Sequence, residues 1–346
     1  MVKGFASISE IHQKQKIAIL RVLRDYGRPI GSANIAREIE ASGFYLSDRT
    51  IRLYLQDMER DGLVAHARRG RHGGRTITEL GIGEIKDALV MERVGFTAAK
   101  VDTLAWKISF DLASKSGLVV LNVSLIHEFC LKAAINEMIP VFKAGLSMGE
   151  YLYIGHPGEE IGEFQIPSGY AAIGTVCSVT LNGVLLSARI PTDSRFGGVL
   201  EVQDGHPIRF TDVIYYDGTS LDPLEIFIKG GLTSVREAVR TGHGRIGVSF
   251  REVPTAAMGD VEKLLRRMDQ VGLGGILMMG RPSQPLLDFP VHEGRTGILV
   301  KGGLNPLAAV EEAGMPTTNF ALCTLFEFQQ LIHYSETAGR VAAIER

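Results

Sequence analysis

Apolar residues recur at helical spacing from the start of the chain. Ile11, Ile17, Leu20 and Leu23 predict a first helix that ends near Gly27-Arg28-Pro29. Ile35, Ala36 and Ile39 predict a second helix, opened after Gly31-Ser32 and stopped at Ser42-Gly43. A third starts at Ser47-Asp48, where Ser47 can cap the helix and Asp48 complements its positive end. Ile51, Tyr54, Leu55 and Met58 form its buried stripe, and Gly62 ends it. With that stripe inward, Arg49, Thr50, Arg52, Leu53 and Gln56 face out. Residues 63–65 and 76–78 then read as the strands of a hairpin. Its glycine-rich tip, 66–75, carries Arg68, Arg69, Arg71 and Arg75 and no acid.

Two short helices, a basic third helix and a basic hairpin make a winged helix-turn-helix over residues 8–80. In that arrangement Ser47, Arg49, Thr50, Arg52 and Gln56 approach the major groove of duplex DNA. The four hairpin arginines lie along phosphates or in the minor groove, where arginine is favoured. A charge run alone is more often a solvated face. A basic hairpin directly after a basic third helix is harder to read that way.

Residues 81–110 read as linker helices: a connecting helix over 78–93, a turn at Gly95, and a second helical run over 98–108 with the single Trp106. The run 118–124 reads as a buried strand and 126–142 as a helix. Short β-like runs follow at 149–154, 171–179, 184–190, 199–202 and 212–216. The chain also repeats itself. Residues 174–200 align without a gap on 274–300, placing Gly174 on Gly274, Leu186 on Leu286, Asp193 on Glu293 and Arg195 on Arg295. The run 118–142 resembles 245–250 followed by 256–268. Two Lys-Gly-Gly-Leu turns also correspond, at 229–232 and 301–304. The expected fold class is therefore α+β: a winged helix-turn-helix, then an internally duplicated α+β domain over 111–330 with a cleft between its halves.

The charge distribution agrees with a DNA-binding head. Residues 1–80 hold 14 Lys+Arg against 9 Asp+Glu, while the remainder has a net charge of −7. Composition is ordinary globular, 45% hydrophobic and 22% charged over 346 residues, which is enough for more than one domain. No run approaches the roughly 18 apolar residues of a membrane span. Met1 to Glu10 lacks the pattern of a signal peptide. Cys130, Cys177 and Cys323 are odd in number and far apart, which argues against a disulfide framework and fits a cytoplasmic protein.

Neither HExxH nor HxH occurs in the sequence. Gly272–Gly275 is no dinucleotide fingerprint, because a strand is expected where the helix should begin. Neither a catalytic residue, a cofactor nor a metal is expected. In each Lys-Gly-Gly turn a strand leads into a helix. Lys229, Gly230 and Gly231, and likewise Lys301, Gly302 and Gly303, could thus hold an anion at a helix N-terminus. The plain alternative is a tight strand–helix turn. Arg195 and Arg295 could add bidentate carboxylate contacts, or pair with Asp193 and Glu293 in the same loops.

The winged helix resembles the domain at the front of ribonuclease R, but no nuclease domain follows it. The run WKISFDL…GLVVLNVSLI (106–126), with the duplicated KGGL turns, is similar to the NrpR family of nitrogen-regulation repressors. The resemblance spans about 11–330. It implies a repressor that binds operator DNA as a homodimer or higher assembly and answers to 2-oxoglutarate, with 111–330 as the effector-sensing and dimerisation domain. Two other readings stay open on the residues alone: a metabolic enzyme with a DNA-binding head, and an RNA-binding adaptor.

Overall fold

The computed structural model describes residues 8–41, 46–67, 74–85, 96–162 and 164–337. Two units are resolved, 1–93 and 94–346, so the helix around Trp106 belongs to the second unit and not to a linker.

In the first unit, α1 (Ile8–Tyr26), α2 (Ser32–Ala41) and α3 (Asp48–Arg60) fall where the apolar spacing puts them. Ile17, Leu20, Leu23, Ile35, Ile39, Ile51, Leu55 and Met58 close one core. β1 (Val64–His66) pairs antiparallel with β2 (Arg75–Ile77), and Ile30 makes a single antiparallel bridge to Arg75. Residues 79–85 are helical; the remainder of the expected 78–93 helix lies outside the described residues.

The second unit contains two five-stranded antiparallel sheets. Its strands are β3 (Leu118–His127), β4 (Tyr151–Gly155), the small hairpin β5 (Glu160–Ile161) and β6 (Phe164–Gln165), β7 (Tyr170–Val176), β8 (Asp193–Gln203), β9 (His206–Tyr215), β10 (Gly244–Pro254), β11 (Ile276–Met279), β12 (Arg295–Lys301), β13 (Thr318–Glu327) and β14 (Ile332–His333). One sheet runs β13-β3-β7-β4-β14, the other β11-β12-β10-β8-β9. The duplication is present. β3, helix Leu131–Lys143, β4, β7, helix Val179–Ser187 and β8 recur in order as β10, helix Met258–Gln270, β11, β12, helix Asn305–Glu312 and β13. Each copy is a β-α-β-β-α-β unit of the ferredoxin-like type. The last strands are exchanged: β8 ends the first copy but pairs with β10, and β13 ends the second but pairs with β3. Each sheet is thus completed by the other copy, and neither half can close its sheet alone.

This register corrects the gapless alignment. β7 corresponds to β12, and helix 179–187 to helix 305–312, so 118–142 on 245–268 was the sound part of the match. Arg195 on β8 and Arg295 on β12 are not equivalent positions. The expected strand at 184–190 lies mostly in helix Val179–Ser187, whose residues 179–185 are all buried. A helix covered on every side has no polar face, hence no helical period to read.

Candidate nucleic-acid interface and regulatory site

Ser47 caps α3 as its residue type suggests: its Oγ accepts the Thr50 amide at 3.1 Å and lies 2.8 Å from the Thr50 hydroxyl. Ile51, Tyr54, Leu55 and Met58 are buried beneath the helix. Arg49, Arg52, Leu53 and Gln56 are exposed, and Thr50 is half-buried. Arg52 folds back onto Asp48, one turn earlier, which lowers the Asp48 carboxyl pKa. Leu53 stands 56% exposed amid these polar groups.

Arg68, Arg69 and Arg71 lie outside the described residues. Arg75 is described and is not a free cation of the wing. Its Nη2 donates to Glu59 Oε2 at 2.8 Å, its Nη1 lies 2.9 Å from His66 Nδ1, and its backbone pairs both ways with Ile30. It fastens the hairpin to α3 instead of presenting charge outward.

The Lys-Gly-Gly turns differ from expectation and from each other. Lys229 ends helix Pro223–Lys229, so no strand precedes that turn. Its ammonium pairs with Glu311 and donates to the Thr317 carbonyl. Gly230 is the helix C-cap and Gly231 takes a φ of +65°. The following helix, Val235–Thr241, already holds a carboxylate at its start. Glu312 accepts from the amides of Val235 and Arg236 and from the Thr233 hydroxyl, at 2.8–2.9 Å. The second turn does lead from strand β12 to helix 305–312. A Cβ on Gly303 would run into the Val176 carbonyl and the Asn122 amide, and one on Gly302 into the Gly247 backbone. Those glycines are required by close packing. Asn305 pins the helix start by accepting the Gly247 amide and donating to the carbonyls of Gly247 and Leu146. Burial lowers the Lys301 pKa, with Asp269 acting in the opposite sense.

Arg195 and Arg295 do come together, although they are not equivalent. Both line one cavity of about 430 Å³ with Asp102, Thr192, Tyr215 and Asp217. Their partner is neither Asp193 nor Glu293 but Glu252, a fully buried carboxylate on β10. Arg195 pairs with Glu252 Oε1, His292 Nδ1 lies 2.8 Å from Oε2, and Arg295 donates to the Glu252 carbonyl at 3.3 Å. Asp193, Glu252 and His292 have the spacing of metal ligands. The Arg195 guanidinium already neutralises that carboxylate and touches the same histidine nitrogen, so the grouping is an ion-pair network. In the cavity wall, burial and then Asp193 raise the Asp102 pKa.

One residue before Glu252 on β10 stands Arg251. It is 1% exposed and donates only to hydroxyls, Nη1 to Ser249 at 2.8 Å and Nη2 to Ser178 at 2.9 Å. A charged pair, Arg251-Glu252, inside the apolar strand RIGVSFREVP was the available signal. Nearby, burial pushes the Cys177 thiol up to about 11 and Asp222, which caps helix 223–229, up to about 6.

A winged helix and a duplicated regulatory domain define a class, the DNA-binding regulators with an attached α+β domain. Residues 17–85 match the ribonuclease R winged-helix domain, and 94–333 match the NrpR regulatory domains NRD1 and 2. The chain belongs to the NrpR family. It is 33% identical over 319 residues to the global nitrogen regulator NrpRI of Methanosarcina mazei, covering 92% of this chain and 97% of that one. It is 28% identical to the global nitrogen regulator NrpR of Methanococcus maripaludis, over 86% of this chain and 51% of the longer relative. A crystal structure of a nitrogen repressor-like protein from Methanococcus jannaschii superposes with a TM-score of 0.58 at 28% identity, over 68% of this chain and 97% of that one. No described helix is long and apolar enough to cross a membrane.

Proposed function

We propose that this chain is a transcriptional regulator of nitrogen metabolism. It acts as a repressor on double-stranded operator DNA, in the cytoplasm, under control of a small dicarboxylate, 2-oxoglutarate. The observation that carries the DNA-binding part is the outer face of α3, where Arg49, Arg52 and Gln56 stand exposed over a fully buried stripe. Exposed cations on the third helix of such a unit enter the major groove, and the wing supplies phosphate contacts. The nitrogen-regulator names of its relatives support the regulatory part. One winged helix covers a single half-site, so the working unit is a homodimer held by the regulatory domain, with its winged helices about one helical turn or a multiple apart.

Arg195 and Arg295, sharing one cavity, support a carboxylate-bearing effector there. The anchors expected at the first Lys-Gly-Gly turn are already taken by Glu311 and Glu312, which moves the effector away from that turn. The test is fluorescence anisotropy on duplexes from nitrogen-assimilation promoters and on a structured RNA of equal charge, with and without millimolar 2-oxoglutarate. Preferential, effector-sensitive binding of duplex DNA by a species that scatters light as a dimer is expected. Equal binding of the RNA, or indifference to the effector, contradicts this reading.

A further inference from the structure

We propose that the regulatory domain carries a docking groove for an extended segment of a second protein, which adds a strand to the free edge of β11 and sets a basic side chain on Asp269. The groove is separate from effector control, since none of its lining residues lines the cavity of Arg195 and Arg295.

The first argument is the duplication. β4 and β11 are equivalent strands, and so are helices 131–143 and 258–270, each 13 residues long. β4 does not end its sheet: β14 lies beyond it, pairing Ile332 with Leu152 and His333 with Tyr151. β11 does end its sheet, so its outer side has no ladder partner among the described residues. No described segment takes the position beside β11 that β14 takes beside β4. An unpaired strand edge of this kind is what an extended peptide completes.

The second argument is shape. A groove of about 430 Å³ runs between β11 and helix 258–270. Leu265, Arg266 and Asp269 line it from the helix, and Gly274, Ile276 and Met279 from the strand side. β11 itself reads Ile-Leu-Met-Met, without a charge, and Met279 is 38% exposed. Leu265, Ile276 and Met279 make a floor for an apolar side chain, and methionine adapts to the shape of what it meets.

The third argument is charge. The chain beside β4 shows what such a groove selects. There Leu331 and Ile332 are buried, and the Tyr334 amide donates to the Glu150 carbonyl at 2.9 Å. The Tyr334 ring stacks on Phe142 with centroids 5.5 Å apart. Counted from the helix starts at Leu131 and Met258, Phe142 and Asp269 are equivalent positions. A carboxylate thus stands beside β11 where an aromatic ring stands beside β4. A Cβ on Gly274 would run into Asp269 Oδ1, which places that oxygen at the strand side of the groove. Glu262 on the same helix face is paired with Arg266, whereas Asp269 is in no ion pair among the described residues. The segment that fits therefore resembles Leu331-Ile332-His333-Tyr334 with a lysine or arginine in place of the tyrosine. Such a cross-interface charge pair selects the partner more than it adds affinity.

The experiment is fluorescence anisotropy of the full chain with a labelled peptide, FQQLIHRSE, the sequence of residues 328–336 with arginine for Tyr334. It is expected to bind at micromolar concentration, and its glutamate counterpart FQQLIHESE roughly tenfold more weakly or worse. Asp269→Lys is expected to invert that preference, which a merely disturbed groove would not do. N-methylation of one of the adjacent leucine and isoleucine amides is expected to abolish binding and of the other to spare it, because only alternate amides of an added strand face its neighbour. Met279→Asp, at an exposed position, is expected to weaken binding roughly tenfold and decides the matter if Asp269→Lys does not fold. Equal binding of the two peptides, parental affinity in folded Met279→Asp, or no binding at millimolar concentration overturns the groove. A preference that Asp269→Lys leaves unchanged means that the peptide exchanges with β14 instead, and overturns it as well. A peptide that binds as expected but halves the mass of the chain in light scattering assigns the groove to a second copy and overturns a separate partner.

Discussion

Arg75 Nη2 sits 2.8 Å from Glu59 Oε2, joining the return strand of the wing to the last turn of the third helix. The pair is partly covered, with the Arg75 side chain 15% exposed, so it is screened less than a surface pair. Arg75→Ala and Glu59→Ala should each destabilise the winged helix by about 1 kcal/mol, and a double-mutant cycle should return a positive coupling. Because the Arg75 charge is spent within the protein, Arg75→Ala should leave the salt slope of DNA binding nearly unchanged. Arg49→Ala, by contrast, should flatten it by about one unit if Arg49 meets a phosphate. Equal slopes for the two variants would assign Arg75 to the DNA.

Arg52 is held by Asp48 in the free protein, so a role at the DNA requires it to exchange partners on binding. Arg52→Ala should cost roughly 1–3 kcal/mol of operator affinity and relax specificity at one base pair. Asp48→Asn removes the internal competitor and should strengthen binding. Weaker binding by Asp48→Asn in a fully folded protein contradicts the exchange.

Leu53 is the apolar member of the outward face of α3. Apolar side chains in the major groove meet the thymine methyl group. Replacing thymine by uracil, one position at a time, should weaken the parent at one half-site position and leave Leu53→Ala indifferent there. The same uracil penalty in both proteins would rule out the contact.

Stability should fall between about pH 4 and 7. Burial raises Asp222 to about 6 and Glu225 to about 7, while both titrate near 4 in an unfolded chain. The native state therefore binds more protons in that window. The stability these groups contribute is complete below about pH 4 and is lost as pH rises through the folded values. For Asp222 the loss is on the order of 3 kcal/mol. Urea melts at pH 5 and 7.5 should differ in this direction, and Asp222→Asn should reduce the difference. Asp48, Asp111 and Glu201, whose pKa values are lowered by their hydrogen bonds, oppose the trend only in stronger acid.

Gly303→Ala should destabilise the regulatory domain by more than about 2 kcal/mol, since its methyl group would press on backbone at Val176. Gly231, with open space around it, reports only its left-handed φ, so Gly231→Ala should cost about 1 kcal/mol. Equal thermal shifts for the two would mean that the turns are alike after all.

The winged helix was legible because each signal was local. Caps, stripe and stops lie within one turn of the residues they govern, so Ser47 to Met58 gave the helix, its cap and its buried face together. The duplication was legible as well, but its register was not. Identity between the copies is low, and the run 179–185 of helix 179–187, buried on all sides, carries no period to separate it from a strand. Partners at long range were decided only by the tertiary structure. Which acid meets Arg195, why Arg75 is spent on Glu59, and that β8 and β13 trade sheets all depend on segments far apart in sequence. The same holds for Arg251. Its position in strand β10 is written in the sequence, but that its hydrogen bonds go to the Ser249 and Ser178 hydroxyls follows from how the two copies close around it, because a charge is paired or stranded only by what packs against it.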